Sequence, residues 1–265
     1  MLKQAIKVGN GAGVLLPRKY LGNLIEIKIR TLTKEDIKKQ ILSVVYPYLK
    51  NIMGIYLVGS YARNEECVDS DVDVVIVSNK NIKLELENYH LICLTYRDLA
   101  RYMERSIIEY YPMLLEAETI LNEDLLQKLL ETPITKKSLK WHLESCKSAL
   151  KVVEKALLTE DKDLIVNDAI LYSFILRLRE IYLVDCILNR KIGSLKGLIK
   201  YARRVKPIER LCDLYRELRS DGKIRIDIGI EEIRECYEFT NEKLKSQEKK
   251  IDELEKEKKA IREKN

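Results

Sequence analysis

Residues 53–77, MGIYLVGSYARNEECVDSDVDVVIV, restrict the fold more than any other stretch of the chain. An apolar run at 55–58 ends on Gly59-Ser60, and a glycine there lets the backbone approach a phosphate because no Cβ stands in the way. Ten residues later come Asp71-Val72-Asp73 and the β-branched run 74–77. Residues two apart in a strand face the same side, so Asp71 and Asp73 aim both carboxylates at one spot while Val72 and Val74 face the other way. Two oxygen ligands on one rigid strand suit a hard divalent cation such as Mg²⁺, which completes its shell with water and phosphate oxygens.

The pattern apolar-Gly-Ser, ten residues, Asp-apolar-Asp-apolar resembles the signature of the DNA polymerase β-like nucleotidyltransferase superfamily. The wording GSYARNEECVDSDVDVVIV is similar to its small archaeal and bacterial members, the minimal and kanamycin nucleotidyltransferase-like enzymes. The resemblance implies that Gly59 and Ser60 hold a nucleoside triphosphate and that Asp71 and Asp73 are the catalytic, metal-binding pair. It further implies that a nucleoside monophosphate, AMP from ATP, passes to a hydroxyl acceptor (a small molecule, a protein or RNA) with loss of pyrophosphate. Arg63, nearly one turn past Ser60, is a candidate phosphate contact, and Glu65, Glu66 and Asp69 are expected to face solvent or act through water. Asn64 departs from the pattern, standing where these small members usually carry a second glycine. They also usually carry a third acid on the next long strand, and here residues 89–95 have none. Sliding the alignment puts Cys93 or His90 in that slot, Glu85 and Glu87 lie just upstream, and the choice among these, or none, stays open.

The rest of the chain is read around this core as an α+β protein. The core, a mixed sheet with helices, is expected over 31–132, a helical bundle over 133–240 and a charged helical tail over 241–265. Thr33 and Asp36 form a capping pattern before the helical spacing of Ile37, Ile41, Val44 and Val45, with Pro47 closing the helix. Asp98 opens a helix over 99–110, and Pro112 breaks the chain before a further helix containing Leu114, Leu115, Ile120 and Leu121. Bundle helices are expected over 136–159, 163–190, 194–204 and 207–220, the second of them apolar around most of its circumference and so buried. The bundle resembles the C-terminal domain of kanamycin nucleotidyltransferase-like proteins and the HEPN fold, but it lacks the Arg–His spacing of HEPN nucleases. Glu180 on the buried helix is a candidate acceptor-side base or an ion-pair partner of a neighbouring arginine.

Residues 1–30 are expected to form a separate small β unit: a glycine-dense turn at 9–13, Val14-Leu15-Leu16-Pro17, and the alternating strand 24–29. This arrangement is similar to the swapped-hairpin AbrB-like fold, which implies a homodimer and DNA contacts through Lys3, Lys7, Arg18, Lys19, Lys28 and Arg30. It supports an alternative reading, a DNA-binding or antitoxin-like regulator with a weakly active or inactive core; a hairpin decorating the core is the plainer one.

Six scattered cysteines without a Cys-x-x-Cys pair, and only two histidines, argue against a zinc site and thiol redox chemistry. The net charge of +6 fits an anionic substrate without demanding nucleic acid. No apolar run is long enough to span a membrane and the start lacks signal-peptide features, so a cytoplasmic protein is expected. Heavy Lys and Glu usage hints at a thermophile.

Overall fold

A computed structural model describes residues 6–9, 11–26, 32–67, 70–159, 168–219 and 228–262. The chain divides into two compact units, Met1–Leu32 and Thr33–Asn265.

The first unit contains β1 (Ile6–Val8) and β2 (Gly11–Gly13), an antiparallel pair with Ile6 opposite Gly13, followed by a 3-10 turn at Arg18–Tyr20. The separate β unit expected for residues 1–30 is not seen. Leu24, Ile25 and Glu26 do not enter the expected strand, the rest of which falls at residues outside the described ones. None of the described side chains from 6 to 26 is buried; Leu24 is fully exposed and Ile25 is 51% exposed. Among the described residues the two-stranded ribbon covers no buried apolar face, and such a ribbon alone is marginally stable.

The second unit begins with α1 (Lys34–Val45), where the expected cap is formed. Thr33 Oγ1 accepts the Asp36 amide at 3.2 Å, and the Asp36 carboxylate accepts the Thr33 amide at 3.1 Å. Ile37, Ile41 and Val45 form its buried stripe, and a 3-10 turn carrying Pro47 ends it. Four strands make one mixed sheet: β3 (Ile52–Val58), β4 (Val72–Ser78), β5 (Tyr89–Thr95) and β6 (Glu118–Leu121), in the order β5-β4-β3-β6. β3 runs antiparallel to β4 and β6, and β4 runs parallel to β5. Residues 55–58 and 74–77 are buried without alternation, as expected of central strands covered on both faces.

Between β5 and β6 lie α3 (Tyr96–Arg105), which Thr95 caps by accepting the Asp98 amide, and α4 (Ile107–Leu115). Two expectations fail here. Pro112 sits inside α4 instead of breaking it; the ring costs one amide hydrogen bond, while Ile107, Ile108, Tyr111 and Leu114 are buried along the same helix. The helix expected to contain Ile120 and Leu121 is the strand β6. Leu114 and Leu115 close α4, and the second apolar pair belongs to a new element, so the helical spacing joined two unrelated segments. Glu118 at the head of β6 pairs with Lys34 at 2.5 Å and with Lys38 at 3.8 Å. Asn122, at φ +67°, ends the strand and caps α5 (Glu123–Leu130) by accepting the Leu125 amide.

Among the described residues five further helices follow: α6 (Lys136–Thr159), α7 (Asp168–Leu188), α8 (Leu195–Tyr201), α9 (Ile208–Arg219) and α10 (Ile230–Arg262). The helix expected to be buried is α7. It bears Leu171, Phe174, Ile175, Leu178, Ile181 and Ile187 in the core and is packed by α4, α6, α8, α9 and α10. Because α3 and α4 also touch α6, and α4 touches α7, sheet and bundle share one apolar core. α10 continues through residue 240 without a break and buries Leu244, Gln247 and Ile251 within the chain. Among the described residues no helix is long and apolar enough to cross a membrane.

Leu178 has no exposed surface, whereas Leu158 is 77% exposed. Leu178→Ala is expected to lower unfolding free energy by about 3 kcal/mol. Leu158→Ala should change it by less than about 0.5 kcal/mol, as paired urea titrations would measure.

Candidate functional site

The β3–β4 register sets Val58 directly opposite Asp73, so the turn that follows β3 lies against the Asp73 side chain. Gly59 adopts φ +73°, and a Cβ built on it would fall 2.3 Å from Asp73 Oδ2. The position therefore needs glycine twice over, for its left-handed backbone and for the space its neighbour fills. On the other side of β4, the parallel pairing puts His90 of β5 opposite Asp73, with His90 Nδ1 3.0 Å from Asp73 Oδ1. His90 thus occupies the slot beside Asp73, while Cys93 lies opposite Ile76, farther along the strand. Glu85 and Glu87 lie in the segment leading into β5. Asp71 is exposed immediately before β4, and Asp73 is half-buried. Among the described residues no third His, Cys, Asp or Glu joins Asp71 and Asp73 in a three-ligand cluster.

Gly59 and Ser60 open α2 (Gly59–Ala62), a single turn anchored by buried Tyr61. It ends in a Schellman motif: the Asn64 amide donates to the Tyr61 carbonyl and the Glu65 amide to the Ser60 carbonyl at 2.9 Å. Asn64 takes φ +53°, the left-handed conformation that the motif requires. Asparagine is the side chain that best tolerates it after glycine, so the departure at this position preserves the backbone.

A residue not singled out in the sequence, Glu116, completes the site. β6 pairs antiparallel to β3 with Leu57 opposite Glu118, and extending that register by two residues sets Glu116 opposite Gly59. The Gly59 amide donates to Glu116 Oε1 at 2.8 Å, and Arg63 Nη1 donates to Glu116 Oε2 at 2.7 Å. Arg63 Nε also donates to Glu65 at 2.9 Å, so its guanidinium faces two carboxylates. The Glu116 side chain is 7% exposed. Burial pushes its carboxyl above the usual range, aided by the Asp73 charge, even though Arg63 and the Gly59 amide oppose the shift. Burial pulls the Arg63 guanidinium down, but the hydrogen bonds and charges of Glu65 and Glu116 outweigh it and hold it firmly protonated. The only sequence signal for Glu116 was a strand at 118–121, which the apolar spacing concealed.

Arg63 and Glu116 border a cleft of about 580 Å³ whose far wall carries Arg179, Tyr182 and Tyr215 from α7 and α9. Tyr215 stacks on Tyr172, with ring centroids 5.6 Å apart, and Arg179 lies over the Tyr215 ring at 5.9 Å. Glu180 pairs with Arg177 at 2.5 Å.

Gly59→Ala is expected to cost about 2 kcal/mol of stability through backbone strain and collision with Asp73. Asn64→Gly, which keeps the left-handed turn, should stay within about 0.5 kcal/mol of the parent in the same denaturation assay.

Residues 37–162 match the family described as Nucleotidyltransferase domain. The chain is similar in structure to a nucleotidyltransferase-like protein from Exiguobacterium sibiricum 255-15. The two are 13% identical with a TM-score of 0.41, and the alignment covers 80% of this chain and 75% of that one. No curated protein matches it, and nothing in these comparisons supports an AbrB-like segment at residues 1–30. The matched segment contains β3, the Gly59 turn, β4, β5 and β6, and residues 37–162 therefore form a nucleotidyltransferase domain.

Proposed function

We propose that the protein is a Mg²⁺-dependent nucleotidyltransferase that moves AMP from ATP to a hydroxyl acceptor. The observation that carries the reading is the contact of Gly59 with Asp73: a turn able to approach a phosphate is held against the end of β4 that carries Asp73, with Asp71 just before the strand. The donor set fits a hard cation. Asp73 on β4 and Asp71 just before it supply oxygens without a dedicated protein cage, the arrangement in which Mg²⁺ keeps water and phosphate oxygens as its remaining ligands. When bound there, Mg²⁺ would offset the charge that builds on the transferring phosphoryl group.

The chain's own residues then hold and orient. His90, hydrogen-bonded to Asp73 Oδ1, fixes the rotation of that carboxylate and leaves Oδ2 turned toward Gly59. Gly59 and Ser60 present the turn to the triphosphate. Glu116 already accepts the Gly59 amide and the Arg63 guanidinium, so an arriving phosphate exchanges with a carboxylate and does not enter an empty cradle. The cleft running from Arg63 and Glu116 to Tyr182 and Tyr215 has the volume of a small-molecule site and is the place for the acceptor. Positioning and charge stabilisation supply the rate enhancement. DNA binding through residues 1–30 is not part of this reading, because nothing in the comparisons supports an AbrB-like segment there.

Purified protein incubated with labelled ATP, Mg²⁺ and a cell lysate should transfer label to an acceptor. Asp71→Asn combined with Asp73→Asn should reduce the transfer by about 100-fold or more. Transfer that survives the double substitution would overturn the assignment.

A further inference from the structure

The interior of the helical bundle holds a second group of ligand-type side chains, outside the Gly59–Asp73 turn. His142 and Cys146 lie one turn apart on α6 and so share a face, and Glu180 reaches them from α7. Cys146 Sγ is 3.6 Å from His142 Nδ1, His142 Nδ1 is 3.8 Å from Glu180 Oε2, and Cys146 Sγ is 3.9 Å from the same oxygen. The three atoms form a nearly equilateral triangle in which no pair is in tight contact. A tetrahedral ion with bonds of about 2.0–2.3 Å holds such atoms roughly 3.3–3.6 Å apart, so each edge needs to shrink by only a few tenths of an ångström.

The surroundings prepare each donor atom. The Gln247 amide nitrogen donates to the Ile181 carbonyl at 2.9 Å and to Asp185 at 3.1 Å, which fixes Gln247 Oε1 as the acceptor facing His142 Nε2 at 2.8 Å. His142 therefore carries a proton on Nε2, and the neutral ring turns the lone pair of Nδ1 toward Cys146 and Glu180, the tautomer that a metal-binding imidazole needs. Arg177 holds the other carboxylate oxygen of Glu180 at 2.5 Å and is itself seated over the Trp141 ring at 5.5 Å. The His142 side chain is fully buried, Cys146 is buried, and only Glu180 keeps slight exposure.

We propose that His142 Nδ1, Cys146 Sγ and Glu180 Oε2 form a binding site for a borderline divalent transition-metal ion of the Zn²⁺ class. Nitrogen, sulfur and carboxylate donors select such an ion over Mg²⁺, which separates this site from the Asp71–Asp73 pair. On binding, the Cys146 thiol gives its proton to solvent, and thiolate and carboxylate together balance the two positive charges. A water on the Glu180 side completes four-coordination. The ion ties α6 to α7, and through Gln247 the tie extends to α10.

Co²⁺ added to chelator-treated full-length protein tests this, because thiolate-to-Co²⁺ charge transfer absorbs in the near ultraviolet. One equivalent should produce that band and Zn²⁺ should abolish it. A hundredfold excess of Zn²⁺ over its dissociation constant should raise Tm by roughly 5 °C or more. The band should vanish in Cys146→Ser and persist in the variant combining Asp71→Asn with Asp73→Asn. Gln247→Leu, which leaves all three ligands in place, should weaken Co²⁺ binding by about 10- to 100-fold. No band from the parent protein in excess Co²⁺, a band retained by Cys146→Ser, or unchanged affinity in Gln247→Leu would each overturn the site.

Discussion

Val58 facing Asp73 across the two central strands is the contact on which the rest of the site depends. A slip of one residue would turn the Asp73 carboxylate to the opposite face of the sheet and leave the left-handed Gly59 beside an apolar side chain. What prevents the slip is burial, since residues 55–58 and 74–77 are covered on both faces and pair along their full length. Once this register holds, each neighbouring strand adds one group at the same end of the sheet. β5 contributes His90 through its parallel pairing with β4, and β6 contributes Glu116 by extension of its antiparallel pairing with β3.

Glu116 and Arg63 give the turn its electrostatic character. A carboxylate with so little exposure would be costly alone, and it is compensated by a guanidinium and a backbone amide at hydrogen-bonding distance. The Gly59 amide is therefore satisfied before any ligand arrives, and the positive charge of Arg63 is shared with Glu65. In the proposed function such a site would discriminate by exchange: a ligand would gain only the amount by which its own oxygens improve on those of Glu116. Because Glu116 and Arg63 also line the cleft reaching α7 and α9, the proposed exchange would take place at the boundary of sheet and bundle.

The parts legible in the sequence were those whose chemistry is local. The Gly59-Ser60 turn, the Thr33 capping box and the buried character of α7 all follow from residues close together in the chain, and the structure displays each of them; of the Asp71–Asp73 pair, Asp73 lies on β4 and Asp71 just before it. The groups that were missed or left open meet only through pairing or packing. That His90 lies opposite Asp73 and Cys93 farther along the strand could not be read before the parallel register with β4 was known. Glu116 was hidden because Leu114, Leu115, Ile120 and Leu121 keep a helical spacing across a boundary between helix and strand. The proposed grouping of His142, Cys146 and Glu180 was likewise out of reach of a search for Cys-x-x-Cys spacing. His142 and Cys146 are a pair at helical spacing, but their third companion lies on another helix. The N-terminal segment failed for the opposite reason: its turn and Leu-Pro wording are local, but the strand it promised is not formed at Leu24–Glu26.

The outer border of the sheet at β6 is only four residues long, and three features of the chain blunt it. Glu118 at its head is held by two lysines of α1, Asn122 in the left-handed conformation turns the chain away at its foot, and α5 starts at once. A short, charged and abruptly ended edge offers a poor template to the strand of another molecule. The element that delivers Glu116 to Gly59 therefore also protects the open sheet from edge-to-edge aggregation.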